Sequence, residues 1–239
     1  MSYVRNAIRT VRTMSPAEQR KILDVTGKHR DGFRDHVILS LALGSGLRES
    51  EIEALNVGDI AEKPEPPKGG KGGAGAKRGS RRARGLAIRS RVELRVFAHK
   101  GTSKRKDAKP VVQVIFLPRL VRIKLAKFLG WKKRAGESIA FDAPLFCAAP
   151  FTRSGKPGER IARRTMRHQF RTWQTRAGFD QTPFTFHELR HTALTTLYRR
   201  TKDVVLVQRA ARHKSITTTM IYTHASDDDL RRALEEQPS

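Results

Sequence analysis

The stretch from Lys63 to Gly85 does most to limit how this chain of 239 residues can fold. It is made largely of proline, glycine and basic residues, a composition that cannot bury enough apolar surface to offset the entropy of ordering itself. It is expected to be disordered on its own, within an insertion spanning residues 63–91. Its glycines make no P-loop, because no Gly-Lys-Ser/Thr closes the required spacing. Any core must therefore be assembled from what lies on either side.

Ahead of the insertion, Ser15-Pro16-Ala17-Glu18 reads as an N-cap, a first-turn proline and a capping-box glutamate. The helix it opens should run to about Thr26 and stop at Gly27. A second helix is expected from about Asp31 to Leu43, apolar along Val37, Ile38 and Leu41, ending at Gly44-Ser45-Gly46. A third opens in Leu47-Arg48-Glu49-Ser50-Glu51-Ile52. Gly46 permits a tight turn there, so Arg48 falls near a helix N-terminus, where an anion is already favoured.

Behind the insertion, Val92 to Ala98 alternates like a strand and Val111 to Leu117 makes a second, joined by a basic tip from His99 to Lys106. Pro118 opens a helix to about Arg134, with Leu120, Ile123, Leu125, Leu129 and Trp131 as core candidates. A Pro- and Gly-rich loop over 142–159 surrounds Leu145 and Phe146. Arg160 to Ala177 reads as a basic helix with Phe170 and Trp173 inward. Shorter helices are expected at about 187–198, 203–211, 215–221 and 226–237. The fold class is α+β, mostly helical, with a small antiparallel sheet.

Charge points to the partner. Lysine and arginine number 49 against 23 acidic residues, a net +26, and such an excess calls for a polyanion, usually nucleic acid. Between Lys68 and Lys109 there are 15 basic and 2 acidic residues, which places half of the net charge in that span. Cys147 is the single cysteine, so an internal disulfide framework is excluded and a reducing cytosol is indicated. No apolar run approaches membrane-spanning length, and no secretory h-region opens the chain. A cytoplasmic, nucleoid-associated protein is expected.

The chemistry gathers in HELRH, residues 187–191, and RHKSITTTMIYTH, residues 212–224. On a helix, His187 and Arg190 stand three apart and share a face. His213 is followed nine residues later by Tyr222. Imidazoles, a guanidinium and a phenol together suit a phosphodiester: arginine matches phosphate oxygens, histidine moves protons, and tyrosine can carry a covalent intermediate. HELRH also satisfies the H-E-x-x-H signature of zinc peptidases. That reading lacks a third ligand, since Leu194 and Leu197 stand where the longer signature needs Gly and His. No glutamate occurs between Glu188 and Glu235. Three consecutive acids, Asp227 to Asp229, lack further acidic partners nearby and suit a helix first turn better than a metal.

HELRHTALTTL followed by ARHKSITTTMIYTH resembles the C-terminal signature of the tyrosine recombinases, the phage-integrase and Xer-type family. GSGLRESEIEALNVGDI is similar to that family's first box, with Arg48 at its arginine position. The resemblance implies a catalytic domain over 15–225, behind a basic segment 1–14 whose Arg5, Arg9 and Arg12 form a helical stripe. It also implies a C-terminal helix, 226–239 with its tail, exchanged between protomers. It implies catalytic roles for Arg48, Lys100, His187, Arg190, His213 and the nucleophile Tyr222. Arg48 and Arg190 would clamp the phosphate and His213 donate to it. His187 would assist proton movement at Tyr222, and Lys100 would protonate the leaving oxygen. The expected partners are double-stranded DNA and further copies, as a homo-tetramer on synapsed sites, with no metal, cofactor or ATP. Candidate DNA contacts are Lys77, Arg78, Arg81, Arg82, Arg84, Lys104, Arg105, Arg163, Arg164 and Arg167.

Two departures stand out: Arg212 replaces the glycine usual before His213, and Arg48 lies close to the start. The family's usual helical core-binding domain has no counterpart ahead of Arg48, which points to a compact enzyme or a fragment. The competing readings are a type IB topoisomerase, an inactive DNA-binding module and the zinc peptidase.

Lys63, Lys68, Lys71, Lys77, Arg78, Arg81, Arg82 and Arg84 supply a testable charge. If half of them touch phosphates, deleting 63–85 should reduce the slope of log K against log salt by about three to four, with cleavage retained. An unchanged slope would show that the segment does not touch DNA.

Overall fold

The computed structural model describes residues 11–62, 87–96, 111–148, 158–179, 181–223 and 235, with 93–96 and 111–112 described by backbone alone. Eight helices and two short antiparallel pairs are described: α1 Pro16–Lys28, α2 Phe33–Ser45, α3 Glu49–Ala54, α4 Val57–Ile60, β1 Ala61–Glu62, β2 Ala87–Ile88, β3 Arg91–Val96, β4 Val111–Phe116, α5 Arg119–Arg134, α6 Arg163–Arg176, α7 Phe186–Thr201 and α8 Val204–Ala211. None of them is long and apolar enough to cross a membrane.

Helix α2 is the axis of the packing. Its residues from Val37 to Ala42 are all buried, as are Arg34 and Asp35, so it is covered on every side. It touches α1, α3, α5, α6 and α7. Gly46 ends it in the left-handed conformation, φ 63°, with its N–H donating to the Ala42 carbonyl at 3.1 Å. From α6 the Trp173 indole donates to Asp35 Oδ2 at 2.6 Å. Burial pushes the Asp35 carboxyl above its usual range, and this hydrogen bond offsets part of the shift.

Strands β3 and β4 pair in register from Arg91 opposite Phe116 to Val96 opposite Val111. The smaller pair, β1 with β2, sets Ala61 opposite Ile88 and Glu62 opposite Ala87. It was not legible in the sequence, and it brings the two ends of segment 63–86 side by side. Residues 87–91, counted with the disordered insertion in the sequence, instead take part in strand pairing, Ala87 and Ile88 with β1 and Arg91 opposite Phe116.

The capping box of α1 forms as expected, with Ser15 and Glu18 bonding each other's backbone amides. Three expectations need correction. In α5 the buried face is Val121, Leu125, Phe128, Leu129 and Lys132, while Leu120 is 73 % and Ile123 42 % exposed. Leu125 and Leu129 are buried as read from the sequence, while Val121, Phe128 and Lys132 take the places expected of Leu120 and Ile123. The helix expected at 215–221 is instead two 3-10 turns, Ile216–Thr218 and Met220–Tyr222. Ser215 caps the first through its hydroxyl, and the β-branched run 216–219 favours the tighter turn over a regular helix. Finally, Arg12 is committed to the protein itself, over the Phe184 ring at 3.8 Å and bonded to the Thr182 and Pro183 carbonyls. Arg5, Arg9 and the segment 226–237, apart from Glu235, lie outside the described residues.

Lys132 is fully buried, with Nζ 2.8 Å from Glu137 Oε2 and 2.9 Å from Cys147 Sγ. Burial raises the thiol's pKa, with Lys132 opposing the shift, so Cys147 serves as an uncharged neighbour. Removing one partner of a buried pair leaves an uncompensated charge. Glu137→Ala should therefore cost about 3–5 kcal/mol in urea unfolding, and Lys132→Met much less. Equal losses would show that the pair itself, rather than the orphaned charge, sets the cost.

Candidate active site

Three chain segments converge to build the site: the turn from α2 into α3, helix α7, and the run from the end of α8 through the 3-10 turns. Arg190 joins them. Its side chain is only 1 % exposed, and its Nη1 donates to the Gly46 carbonyl at 2.5 Å while Nη2 donates to the Ala211 carbonyl. Nη2 also lies 3.4 Å from His213 Nε2. Burial and the neighbouring Arg48 and Arg212 lower the pKa of Arg190 to about 10, which leaves it cationic at neutral pH.

Arg48 precedes α3 as its N-cap. Its amide donates to Glu51 Oε2 at 2.7 Å and its Nη1 to Oε1 at 2.8 Å. The guanidinium is one-third exposed, so it faces both the carboxylate and solvent. His213 follows α8, with Nδ1 3.1 Å from Thr219 Oγ1. Tyr222 is buried in the second 3-10 turn, its ring stacked on His213 with centroids 6.2 Å apart.

The tyrosine hydroxyl does not meet His187. It lies 2.9 Å from Nδ1 of His191, and a neutral imidazole there accepts the phenol proton. His187 is exposed, one helical turn earlier, its ring edge-on to His191 at 4.3 Å. His191 is the site residue missed in the sequence, where it figured only as a zinc ligand. The signal was present: it stands four residues after His187 and next to Arg190, and it sits on the inner side of a helix that must face Tyr222.

Burial, with charges from His187 and Arg190, takes His191 to about 4. Burial together with Arg190, Arg48 and Arg212 takes His213 to about 4 as well. His187 is lowered too, by burial and then by Arg190 and Arg48. Burial raises the Tyr222 hydroxyl, with Arg190 and Arg48 pulling against it. At neutral pH the site thus combines a protonated phenol, neutral imidazoles and guanidinium cations.

Glu188 is occupied as a helix cap: the Thr185 amide donates to its Oε2 at 2.5 Å, and Thr185 Oγ1 accepts from the Glu188 amide at 3.3 Å. A capping carboxylate is poorly placed to serve as a peptidase base. Among the described residues no group of three His, Cys, Asp or Glu side chains could hold a metal ion.

The candidate DNA contacts divide. Arg163 pairs with Glu53 at 3.0 Å and Arg167 with Glu49 at 2.6 Å, tying α6 to α3, whereas Arg164 is exposed. Lys77, Arg78, Arg81, Arg82, Arg84, Lys100, Lys104 and Arg105 lie outside the described residues.

Arg48, Arg190, three histidines and a buried tyrosine thus stand together where these segments meet. The family model for the phage integrase family matches residues 12–229, and the chain belongs to that family. It is 26 % identical over 223 residues to the tyrosine recombinase XerC of Caldanaerobacter subterraneus, covering 92 % of this chain and 49 % of that protein. It is also 26 % identical over 224 residues to XerA of Pyrococcus furiosus, covering 94 % and 61 %. A crystal structure of XerA recombinase superposes with a TM-score of 0.63 at 20 % identity, covering 95 % of this chain and 66 % of that one. XerH bound to a palindromic difH substrate gives 0.62 at 18 %, covering 95 % and 54 %. The chain thus spans about half to three-fifths of the length of these curated relatives. The shared fold is that of tyrosine recombinase catalytic domains.

The depressed imidazoles have a signed consequence. Between about pH 4 and the ordinary histidine value of 6.5, the unfolded chain binds more protons than the folded one. Stability therefore rises with pH across that window and is lost as pH falls through it. Urea midpoints measured from pH 7 to pH 4.5 should drop accordingly, and His191→Asn should flatten the dependence by up to about one proton. A variant as steep as the wild type would exclude His191 from the titration.

Proposed function

We propose that this domain cuts and rejoins DNA at specific sites by attack of Tyr222 on a phosphodiester, as a tyrosine-type site-specific recombinase. The observation that carries the reading is the Tyr222 hydroxyl bonded to His191 beside the Arg48, Arg190 and His213 side chains. The phenol proton passes to His191 Nδ1 as the oxygen attacks phosphorus. Arg48 and Arg190 neutralise the non-bridging oxygens, where charge builds in the transition state. His213, in the tautomer that carries its proton on Nε2 and accepts from the Thr219 hydroxyl at Nδ1, donates to the same oxygens. His187, next to His191, relays the proton outward.

The bond to the 5′ oxygen breaks, leaving a 3′-phosphotyrosyl link and a 5′ hydroxyl. The departing oxygen takes its proton from a general acid, a role the family resemblance gives to Lys100. Attack by another 5′ hydroxyl reverses the steps, so neither ATP nor a metal ion enters. The partner is double-stranded DNA, in keeping with relatives whose structures are described as bound to difH and to a transposon circular intermediate.

We also propose assembly as a homo-tetramer on paired sites. An apolar pocket of about 560 Å³ opens beside Gly46, Leu194, Leu197, Leu206 and Ala210, next to the exposed Phe116. Leu230, Ala233 and Leu234 repeat at i, i+3 and i+4, which gives segment 226–237 of a neighbouring protomer the apolar stripe to fill it.

Incubation with nicked suicide DNA carrying candidate sites, scored for covalent adducts, tests the chemistry. Tyr222→Phe should bind DNA and form no adduct, and Arg48→Ala should slow adduct formation by about 10² or more. EDTA should leave the wild type unaffected. Adducts from the Phe variant would overturn the assignment of the nucleophile, and a strict metal requirement would overturn the mechanism.

A further inference from the structure

Arg212 stands where the backbone asks for glycine. Its φ is 57° and ψ 40°, a left-handed conformation that any residue with a Cβ adopts at a cost. The side chain does not reach out to solvent. It crosses from the end of α8 to α3, where Nη2 meets Glu51 Oε2 at 2.5 Å and Nη1 donates to the Ala210 carbonyl at 3.1 Å. Both charged side chains of this pair are nearly sealed, at 5 % and 8 % exposure. The Arg212 Nε is buried with no hydrogen-bond partner, so the guanidinium is held for its contact with the carboxylate.

Glu51 also receives Arg48, at both its amide and its Nη1. One buried carboxylate therefore faces two guanidiniums. With Arg48 alone, Glu51 and a scissile phosphate would compete for a single cation, and the pair would present no net charge to DNA. With Arg212 present, the three side chains carry one net positive charge. Glu51 keeps a partner when Arg48 turns to the phosphate.

We propose that Arg212 is a positioning residue that holds the charge of Glu51, so that Arg48 is free to engage the scissile phosphate. The inference rests on the phosphotyrosyl reading above. It accounts for a strained arginine that contributes nothing to the phosphate directly, and it makes Arg212 part of the electrostatics of the Arg48 position.

Arg212→Gly is the informative variant, because glycine suits φ 57° and the fold should survive. On nicked suicide DNA at saturating concentration, single-turnover adduct formation should fall by about ten-fold or more, with little change in DNA affinity. Adding Glu51→Gln should recover rate relative to Arg212→Gly, because a neutral amide no longer competes for Arg48. Arg212→Lys should fall between wild type and Arg212→Gly.

A wild-type rate in Arg212→Gly overturns the proposal. So does a double variant as slow as Arg212→Gly or slower, the outcome for a plain strut between α8 and α3. A wild type that forms no adducts at all would sink the recombinase reading instead. The inference is then decided by the stabilisation that inorganic phosphate gives each variant in urea unfolding. That stabilisation should shrink in Arg212→Gly and return in the double variant, and equal stabilisation in all three overturns it.

Discussion

A buried guanidinium with five donors is tolerated only where carbonyls or carboxylates meet it, and Arg190 meets two carbonyls. Both belong to helix ends: Gly46 closes α2, and Ala211 is the last residue of α8. These are the points from which Arg48 and His213 depart. The residue proposed to clamp the phosphate is thus also the tie that fixes where Arg48 and His213 stand. Arg190→Ala would loosen the scaffold and the chemistry together, whereas Arg48, one-third exposed, can be removed without opening the core.

Around this tie the electrostatics are deliberately one-sided. Arg48, Arg190 and Arg212 crowd together, and burial, reinforced by neighbouring cations, holds the histidines in their neutral form. A site in this state is short of negative charge. In the proposed reaction a phosphodiester supplies it, stabilising the arginines and raising the basicity of the imidazoles at the moment a proton must leave Tyr222.

Much of this was legible in the sequence because the signals were local. Ser15 to Glu18 is a four-residue capping box, and Gly46, Arg48, His187, Arg190, His213 and Tyr222 sit in short motifs whose spacing survives any packing. What was missed depended on contacts distant in sequence. His191 acquires its role from Tyr222, 31 residues away. Arg212 acquires its role from Glu51 across 161 residues. On α5 Leu125 and Leu129 were read correctly, whereas Leu120 and Ile123 look like core residues until Lys132, paired with Glu137, is found on the inner face. One clue lay in plain view: Thr185 and Glu188 form a capping box, and that already weakened Glu188 as a peptidase base.

Tyr222 belongs to a small apolar cluster with Leu194, Val207 and Ala211, separate from the main core that α2 anchors. Cooperative units of a protein open in proportion to what they bury, and among the described residues this cluster has four buried members. The two 3-10 turns add only a few local hydrogen bonds to its hold. The amides of 216–223 should accordingly exchange with solvent through openings much smaller than global unfolding, while α2 stays closed. In such a molecule Tyr222 can be withdrawn and returned at low cost, and its availability becomes a local equilibrium, independent of the stability of the fold that surrounds it.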